Sequence, residues 1–429
     1  MGRFKKSRIF NKVTLITVLV VAGCILIFTE IIKKDSVEIK TVENEEKAEA
    51  VNTTLENKPD INSTIKITSV GNILFHGKQL VGAKTKDGYD FKPSFNYMKD
   101  VVSGADIAIG TLETTFGGGE YSGYPTFNSP DEVLPSLKDM GINVINYANN
   151  HILDEGSDGF LRTLSVTKNN NIDMVGVKNN TNDKGYLVKE VDGQKIGIIS
   201  YTYETEKENG QRTINSIPIP NKVNGLINTF NYDELDTFYS NIASNIDDMK
   251  KSGVNFIITN LHWGDEYSTK ENNTQKNMAQ KLSEMGVDII LGSHPHVIEP
   301  YGVITNSKGK KTFVVYSQGN FISNQCADEG VTHDENIDSD TEDGTVIKFT
   351  LDVKDGEVKL KEYNVIPTWV YREPKGDGVL VHKVIPVNDA LRDKEKFNIP
   401  DSVYTRVQRA LNNTEKILEP NEIGVHKVS

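Results

Sequence analysis

Four times in this chain a glycine is followed by a short, apolar, β-rich run and then, nine or ten residues past the glycine, by a His or Glu. Gly104 leads through Asp106-Ile107-Ala108-Ile109 to Glu113, and Gly141 through Ile142 to Ile145 to Asn149-Asn150-His151. Gly253 leads through Val254 to Ile258 to His262, and Gly286 through Val287 to Leu291 to His294-Pro295-His296. A fifth strand, Ile65 to Val70, emerges at Gly71-Asn72 with His76 close behind. A glycine stop, a strand and a polar strand end, alternating with amphipathic stretches, predict an α/β fold. The clearest helix runs from Ser129-Pro130-Asp131-Glu132, with Ser129 as N-cap, through Val133, Leu134, Leu137 and Met140.

Open α/β sheets bind ligands outside the carboxyl ends of their parallel strands. Those ends would gather Asn72, His76, Glu113, Asn150, His151, His262, His294 and His296, which include five of the eight histidines. Imidazole, carboxylate and amide oxygen together suit zinc, manganese or iron better than calcium. A divalent transition metal site, of one or two ions, is therefore expected. His333, His382 and His426 fall in loop or tail sequence and are given no role.

The 48 basic residues against 60 acidic ones give a formal charge of −12, which offers nucleic acid no long-range attraction. Cys24 and Cys326 are the only cysteines, so a disulfide framework and a Cys-rich zinc site are excluded, and Cys326 reads as an ordinary thiol. Residues 1–12 carry five basic side chains and no acid, and an apolar run over 13–32 follows. Its length suits a bilayer-spanning helix, and the basic flank places the N-terminus inside and the bulk of the chain outside the cell membrane. A cleaved signal peptide, or a lipoprotein anchored at Cys24 of Val21-Ala22-Gly23-Cys24, is the alternative. Residues 33–63 are polar without periodicity and read as a flexible linker.

Several motifs, taken together, carry a resemblance. They are Val70-Gly71-Asn72-Ile73-Leu74-Phe75-His76, Thr111-Leu112-Glu113-Thr114, Asn149-Asn150-His151 with Asp154 and Gly156, His262-Trp263-Gly264-Asp265-Glu266-Tyr267, Gly292-Ser293-His294-Pro295-His296 and Tyr316-Ser317-Gln318-Gly319-Asn320-Phe321. In this order, over roughly 65–350, they resemble the CapA/PgsA family of poly-γ-glutamate capsule proteins, itself similar to calcineurin-like metallophosphoesterases. The resemblance implies a four-layer α/β/β/α sandwich over 64–366 behind the single membrane helix, with 367–429 as an extension packing on it. It further implies that Glu113 bridges two metals. Asn150, His262 and His294 would complete one shell, and Asn72 and His296 the other, with His76 as an addition. His151 would act beside Asn150 as general acid or charge stabiliser. Asp154 or Asp265 would orient a histidine, and Glu266 and Asn320 would stand near substrate or behind the metal ligands. The family usually has Asp where this chain has Asn72. A neutral amide offers one good ligand oxygen, which implies weaker binding there and leaves dinuclear, mononuclear and silent sites open.

Implied partners are the membrane, capsule synthase subunits and anionic poly-γ-glutamate. A surface phosphoesterase unrelated to capsule and a non-catalytic binding module are the competing readings. Asp328 to Asp343 holds eight acids and no Lys or Arg, and reads as a solvated loop rather than a calcium site. Tyr201, Tyr203 and Trp263 stand near strand ends, either lining a groove or packing on the sheet. Thr345–Val353 and Glu357–Val365 around Lys354-Asp355-Gly356 predict a hairpin, and a helix is expected from Ser402 to Leu418.

Overall fold

The computed structural model describes residues 63–328, 335–418 and 423–428. The expected membrane helix at 13–32, the Cys24 alternative and nearly all of the linker lie outside the described residues. Among those described, no helix is long and apolar enough to cross a membrane.

In the first half, β1 (Ser63–Ile73), β2 (Ile107–Leu112), β3 (Val144–Asn146) and β4 (Asp173–Val175) run parallel and adjacent. β5 (Tyr186–Val191), β6 (Gln194–Tyr203), β7 (Thr229–Phe230), β8 (Phe256–His262), β9 (Ile289–Ser293), β10 (Ile298–Thr305) and β11 (Lys311–Gln318) form a seven-stranded second sheet in the order β7-β6-β8-β9-β11-β10, with β5 beside β6. The chain then returns to the first sheet through β12 (Asn320–Ile322), β13 (Asp343–Lys354), β14 (Glu357–Gly376), β15 (Val379–Pro386) and β16 (Gly424–Lys427). That sheet has nine strands in the order β15-β14-β13-β1-β2-β3-β4, with β12 on β1 and β16 on β14.

Three layers of side chains hold these sheets. Ile65, Ile67 and Ile109 of the first sheet meet Ile198, Ile258 and Val315 of the second, all fully or almost fully buried. The alternate residues of the same strands face outward, as the two-residue period requires. On the outer face of the first sheet they pack under α1 (Gly77–Ala83), α2 (Val133–Met140) and α3 (Gly156–Asn169) through Leu134, Leu137 and Phe160. On the second they pack under α4 (Leu235–Lys251) and α5 (Asn273–Met285) through Ile242, Ile246 and Leu282. Both sheets bury both faces, so their strands read as continuous apolar runs. The arrangement is the expected α/β/β/α stack.

Several boundaries differ from the sequence reading. β3, β8 and β9 begin two residues later than expected, whereas β1 begins two earlier, and the strands run on toward the polar residues: β8 ends on His262 itself and β9 on Ser293. α2 starts at Val133, because Ser129 does not cap it; the Ser129 hydroxyl pairs instead with Thr114 Oγ1 at 2.8 Å. The hairpin at Asp355-Gly356 is present, with both residues in the left-handed region. The boundary placed at 366 falls inside β14, and β15 and β16 belong to the main sheet. The C-terminal part is thus woven into the domain. Its helix, α6 (Tyr404–Leu418), starts two residues after Ser402 and packs through Val407 and Ala410 against Trp369 and Phe397.

Candidate metal and catalytic site

The carboxyl ends of β1, β2, β3, β8 and β9 converge, and each delivers its residue by a local device. In β1 the register against β2 slips between Val70 and Asn72, which re-aims the side chain after Gly71. Gly71 is required there, because a Cβ would lie 2.1 Å from the Gly319 carbonyl oxygen. After β3, the Asn149 side chain staples the loop: its amide donates to Leu112 O (2.7 Å) and Tyr147 O (2.9 Å), and its Oδ1 accepts from His151 N (2.8 Å). After β9, His294 and His296 have φ of 103° and 62°, a left-handed backbone that turns both imidazoles inward. Non-glycine residues held this way concentrate at functional sites.

Glu113 lies at the centre, 0 % exposed, and neither of its carboxylate oxygens has a hydrogen-bond partner. His262 Nδ1 is 3.6 Å from Glu113 Oε1, and His296 Nε2 is 4.0 Å from Oε2. His262 Nε2 lies 2.8 Å from Asn150 Oδ1, and its Nδ1 2.9 Å from Ser293 Oγ. The rings of His262 and His294 are 4.8 Å apart. Asn72 Oδ1 and His294 Nδ1 are buried without partners too. Burial pushes the Glu113 carboxyl well above the usual range, with the charges of Glu266 and Asp154 adding to it. Burial likewise holds His262 and His294 well below the ordinary imidazole value and His296 down to about 3. His151 stands to one side, with Nδ1 2.9 Å from Asp154 Oδ2.

The cluster opens into a cavity of about 700 Å³ whose wall includes Asn150, His151, His296, His76, Glu266 and Tyr267. His76 caps α1 and is held at its Nδ1 by the Asn324 N–H at 3.3 Å. Glu266 is exposed to the cavity yet ringed by protein, which raises its carboxyl above the ordinary glutamate value.

Two proposed roles move. Asp265 does not orient a histidine, since its carboxylate accepts from Asn272 Nδ2 at 2.9 Å; Asp154 alone does so. Asn320 does not face a ligand. It is completely buried, with Oδ1 3.0 Å from His296 Nδ1 and its amide donating to Gln325 Oε1 and Thr341 O. Trp263 packs inside, donating to Tyr316 O, whereas Tyr203 lies over His294 at 4.8 Å. Asn324, Gln325, Phe127 and Asn215 also line the cavity, and the sequence carried no chemical signal for them. His382, given no role, is buried in β15 with Nε2 2.8 Å from Asn324 Oδ1. Taken alone, the His, Cys, Asp and Glu side chains of the described residues form no group of three arranged to hold a metal ion. The convergence described above includes the amide oxygens of Asn72 and Asn150.

The acid-rich run is solvated only in part: among its described acids Asp328 is exposed and Asp340 half-buried, whereas Asp338, Glu342 and Asp343 are buried, and the C-terminal part supplies donors to the last two, Arg372, Arg406 and Trp369 to Glu342 and Asn413 to Asp343.

The capsule biosynthesis protein CapA of Bacillus anthracis is 28% identical over 276 residues, 62% of this chain and 61% of that protein. The PGA biosynthesis protein CapA of Bacillus subtilis (strain 168) is 31% identical over 196 residues, 45% of this chain and 46% of that protein. The chain thus spans less than two thirds of either relative. Among solved structures, the calcineurin-like phosphoesterase YfkN of Bacillus subtilis aligns over 83% of this chain and 98% of its own, at 15% identity and a TM-score of 0.38, too distant a likeness to carry an argument. The sequence pattern of the family described as bacterial capsule synthesis protein PGA_cap matches residues 66–325, more than half of the 429, and the chain therefore belongs to that family.

Proposed function

We propose that this chain is a membrane-anchored, extracellular component of poly-γ-glutamate capsule synthesis whose site is a hydrolytic centre loaded with one or two divalent transition metal ions. The observation that carries the reading is Glu113, a buried carboxylate with no donor on either oxygen, surrounded by imidazoles that burial keeps uncharged. A buried ionised carboxylate without compensation costs several kcal/mol at least. A proton relieves it only by neutralising the acid, and leaves Asn72 Oδ1 and His294 Nδ1 without a partner. A bound cation would give such lone pairs a partner, and carboxylate, imidazole and amide oxygen are the donors that zinc, manganese and iron accept. Glu113, Asn72, Asn150, His262, His294 and His296 would hold it. Bound there, such ions would polarise a substrate oxygen and lower the pKa of water.

The chain's own groups divide the remaining work. With its Nδ1–H given to Asp154, His151 presents Nε2 to the cavity, positioned to pass a proton to a leaving group. Ser293 Oγ, 2.9 Å from His262 Nδ1, holds that ring with Nε2 beside Asn150 Oδ1; with the proton on Nδ1 and donated to Ser293, Nε2 and Asn150 Oδ1 would both be open to a shared cation. The name of the Bacillus subtilis relative, a PGA biosynthesis protein, supports the polymer assignment, and the basic-then-apolar start of the chain supports the anchor.

Metal content of the detergent-solubilised full chain, measured by inductively coupled plasma mass spectrometry beside Glu113→Gln and a His262→Ala/His294→Ala double variant, tests the reading. Close to two ions, lost in both variants, fits a dinuclear centre in which Asn72 still serves. Close to one fits a single-ion site weakened at Asn72. Zero after reconstitution with zinc, manganese and iron sinks the metal reading and leaves a binding scaffold.

A further inference from the structure

Three residues beyond Gln325, a wall residue of the cavity, the chain reaches Asp328, at most roughly 11 Å away along an extended backbone. There β14 and α6 build a second, smaller groove of about 280 Å³, with Arg372, Arg406, Trp369 and Tyr371 in its wall. Two guanidinium groups meet two carboxylates in it, and the two acids are held differently. Glu342 is buried and fully engaged, accepting from Arg372, Arg406, Ala327 N and Trp369 Nε1. Asp328 lies on the solvent side, 62 % exposed, with Oδ2 2.9 Å from Arg372 Nη2 and Oδ1 3.2 Å from Arg406 Nη2. Arg372 itself is only 11 % exposed and forms the groove floor.

Glu342 is structural and balances one of the two positive charges. Asp328 balances the other from the solvent side, where its 62 % exposed carboxylate is open to replacement by an external one. Removing it would leave N–H groups of two guanidiniums side by side at the bottom of a groove open to water, the arrangement best matched to a carboxylate. We propose that the Arg372–Arg406 pair is a binding site for a carboxylate-bearing chain, occupied in this state by the protein's own Asp328, which an external carboxylate displaces.

An independent observation points the same way. Among the described residues lining the large cavity there is no Lys or Arg; amides and aromatic rings dominate, with Glu266 in their midst. A polyanion reaching the metal site would find no cationic side chain in that wall, and this groove at its rim supplies the grip instead. The inference rests on the polymer reading of the proposed function, and its readout, binding, is separate from the ion content that tests the metal centre.

The test is fluorescence anisotropy of a fluorescein-labelled γ-linked glutamate decamer with the full chain in detergent. The salt is 0.15 M, where the screening length of about 8 Å mutes repulsion from the net charge of −12. Asp328→Asn, which removes the tethered competitor, is expected to tighten binding about three- to tenfold, and Arg406→Gln to weaken it at least tenfold. Metal content should be unchanged in both variants. Equal or weaker binding by Asp328→Asn, with an unchanged melting temperature, would overturn the proposal and leave the pair as a structural clamp. The Asp328→Asn comparison is decisive by itself, even if Arg406→Gln fails to fold. Displacement of the decamer by tripolyphosphate as readily as by unlabelled decamer would overturn the carboxylate class. Full displacement by free glutamate at the same carboxylate concentration would overturn the chain ligand.

Discussion

Glu299 offers the sharpest test of how the cavity wall is held. It lies in β10, fully buried, with Oε2 accepting from Gln275 Nε2 at 2.7 Å and Oε1 without a partner. Gln275 in turn closes a capping box with Asn272 at the start of α5, and Asn272 Nδ2 holds Asp265. That chain of contacts anchors the loop carrying Glu266 and Tyr267 into the cavity. Burial is the main cause pushing the Glu299 carboxyl up to about 8 from 4.5, with Glu271 and Asp265 adding to it. In the unfolded chain the group ionises near the ordinary value, so its stabilising contribution is complete below about pH 4.5. The contribution declines at about 1.4 kcal/mol per pH unit above that and is gone once pH passes 8. Over that interval the loss is on the order of 5 kcal/mol. Glu299→Gln keeps an acceptor for Gln275 and never ionises. Thermal unfolding of both proteins between pH 5 and 8.5 at constant ionic strength should therefore converge at the acid end, apart from a constant offset. At pH 8 the variant should be favoured by several degrees. Parallel curves across the range would refute the reasoning, because they would mean that Glu299 carries the same charge folded and unfolded.

Other expectations concern the site itself. Gly292→Ala would put a Cβ 1.7 Å from Tyr316 O and 2.6 Å from Trp263 Nε1, breaking the bond between them; a loss of roughly 3 kcal/mol or more is expected, read as a fall in melting temperature or loss of soluble protein. Asn149→Ala removes two donors and one acceptor from a fully buried staple and should destabilise by about 2–4 kcal/mol, measured by denaturant unfolding. Glu113→Gln should raise the melting temperature of chelator-stripped protein by removing an uncompensated buried carboxylate; a rise on adding zinc or manganese should be confined to the parent chain.

Much of this site was legible because its chemistry repeats. A glycine stop, a buried strand and a polar end recur at fixed spacing, and the parallel-sheet rule then gathers the ends. What was not legible depends on contacts from distant sequence. Ser129 looked like a cap, but Thr114 takes its hydroxyl across the fold. Asp265 and Asn320 sit in the right motifs, yet each is consumed by a neighbour, Asn272 for one and His296 with Thr341 for the other. The acids of 338–343 read as solvated because their arginine and tryptophan partners lie at 369–409, and local composition holds no trace of that pairing. Asn324 and Gln325 are ordinary loop residues until the cavity gives them a position.

The two sheets contribute unlike halves of the centre. The first supplies the oxygen donors Asn72, Glu113 and Asn150, and the second supplies the imidazoles His262, His294 and His296. The links between the halves include Asn150 Oδ1 to His262 Nε2, at hydrogen-bond length, and Glu113 Oε1 to His262 Nδ1, at 3.6 Å. A centre drawing on both halves would have the carboxylate and amide oxygens of one sheet and the imidazoles of the other. The site therefore comes into being only as the Ile, Val and Phe layer between the sheets closes, and a cation bound there would stabilise that closure in return. This arrangement also accounts for the buried acceptors without partners. In a centre assembled from two packed sheets, a cation bound at the seam would partner the lone pairs that each sheet brings to it.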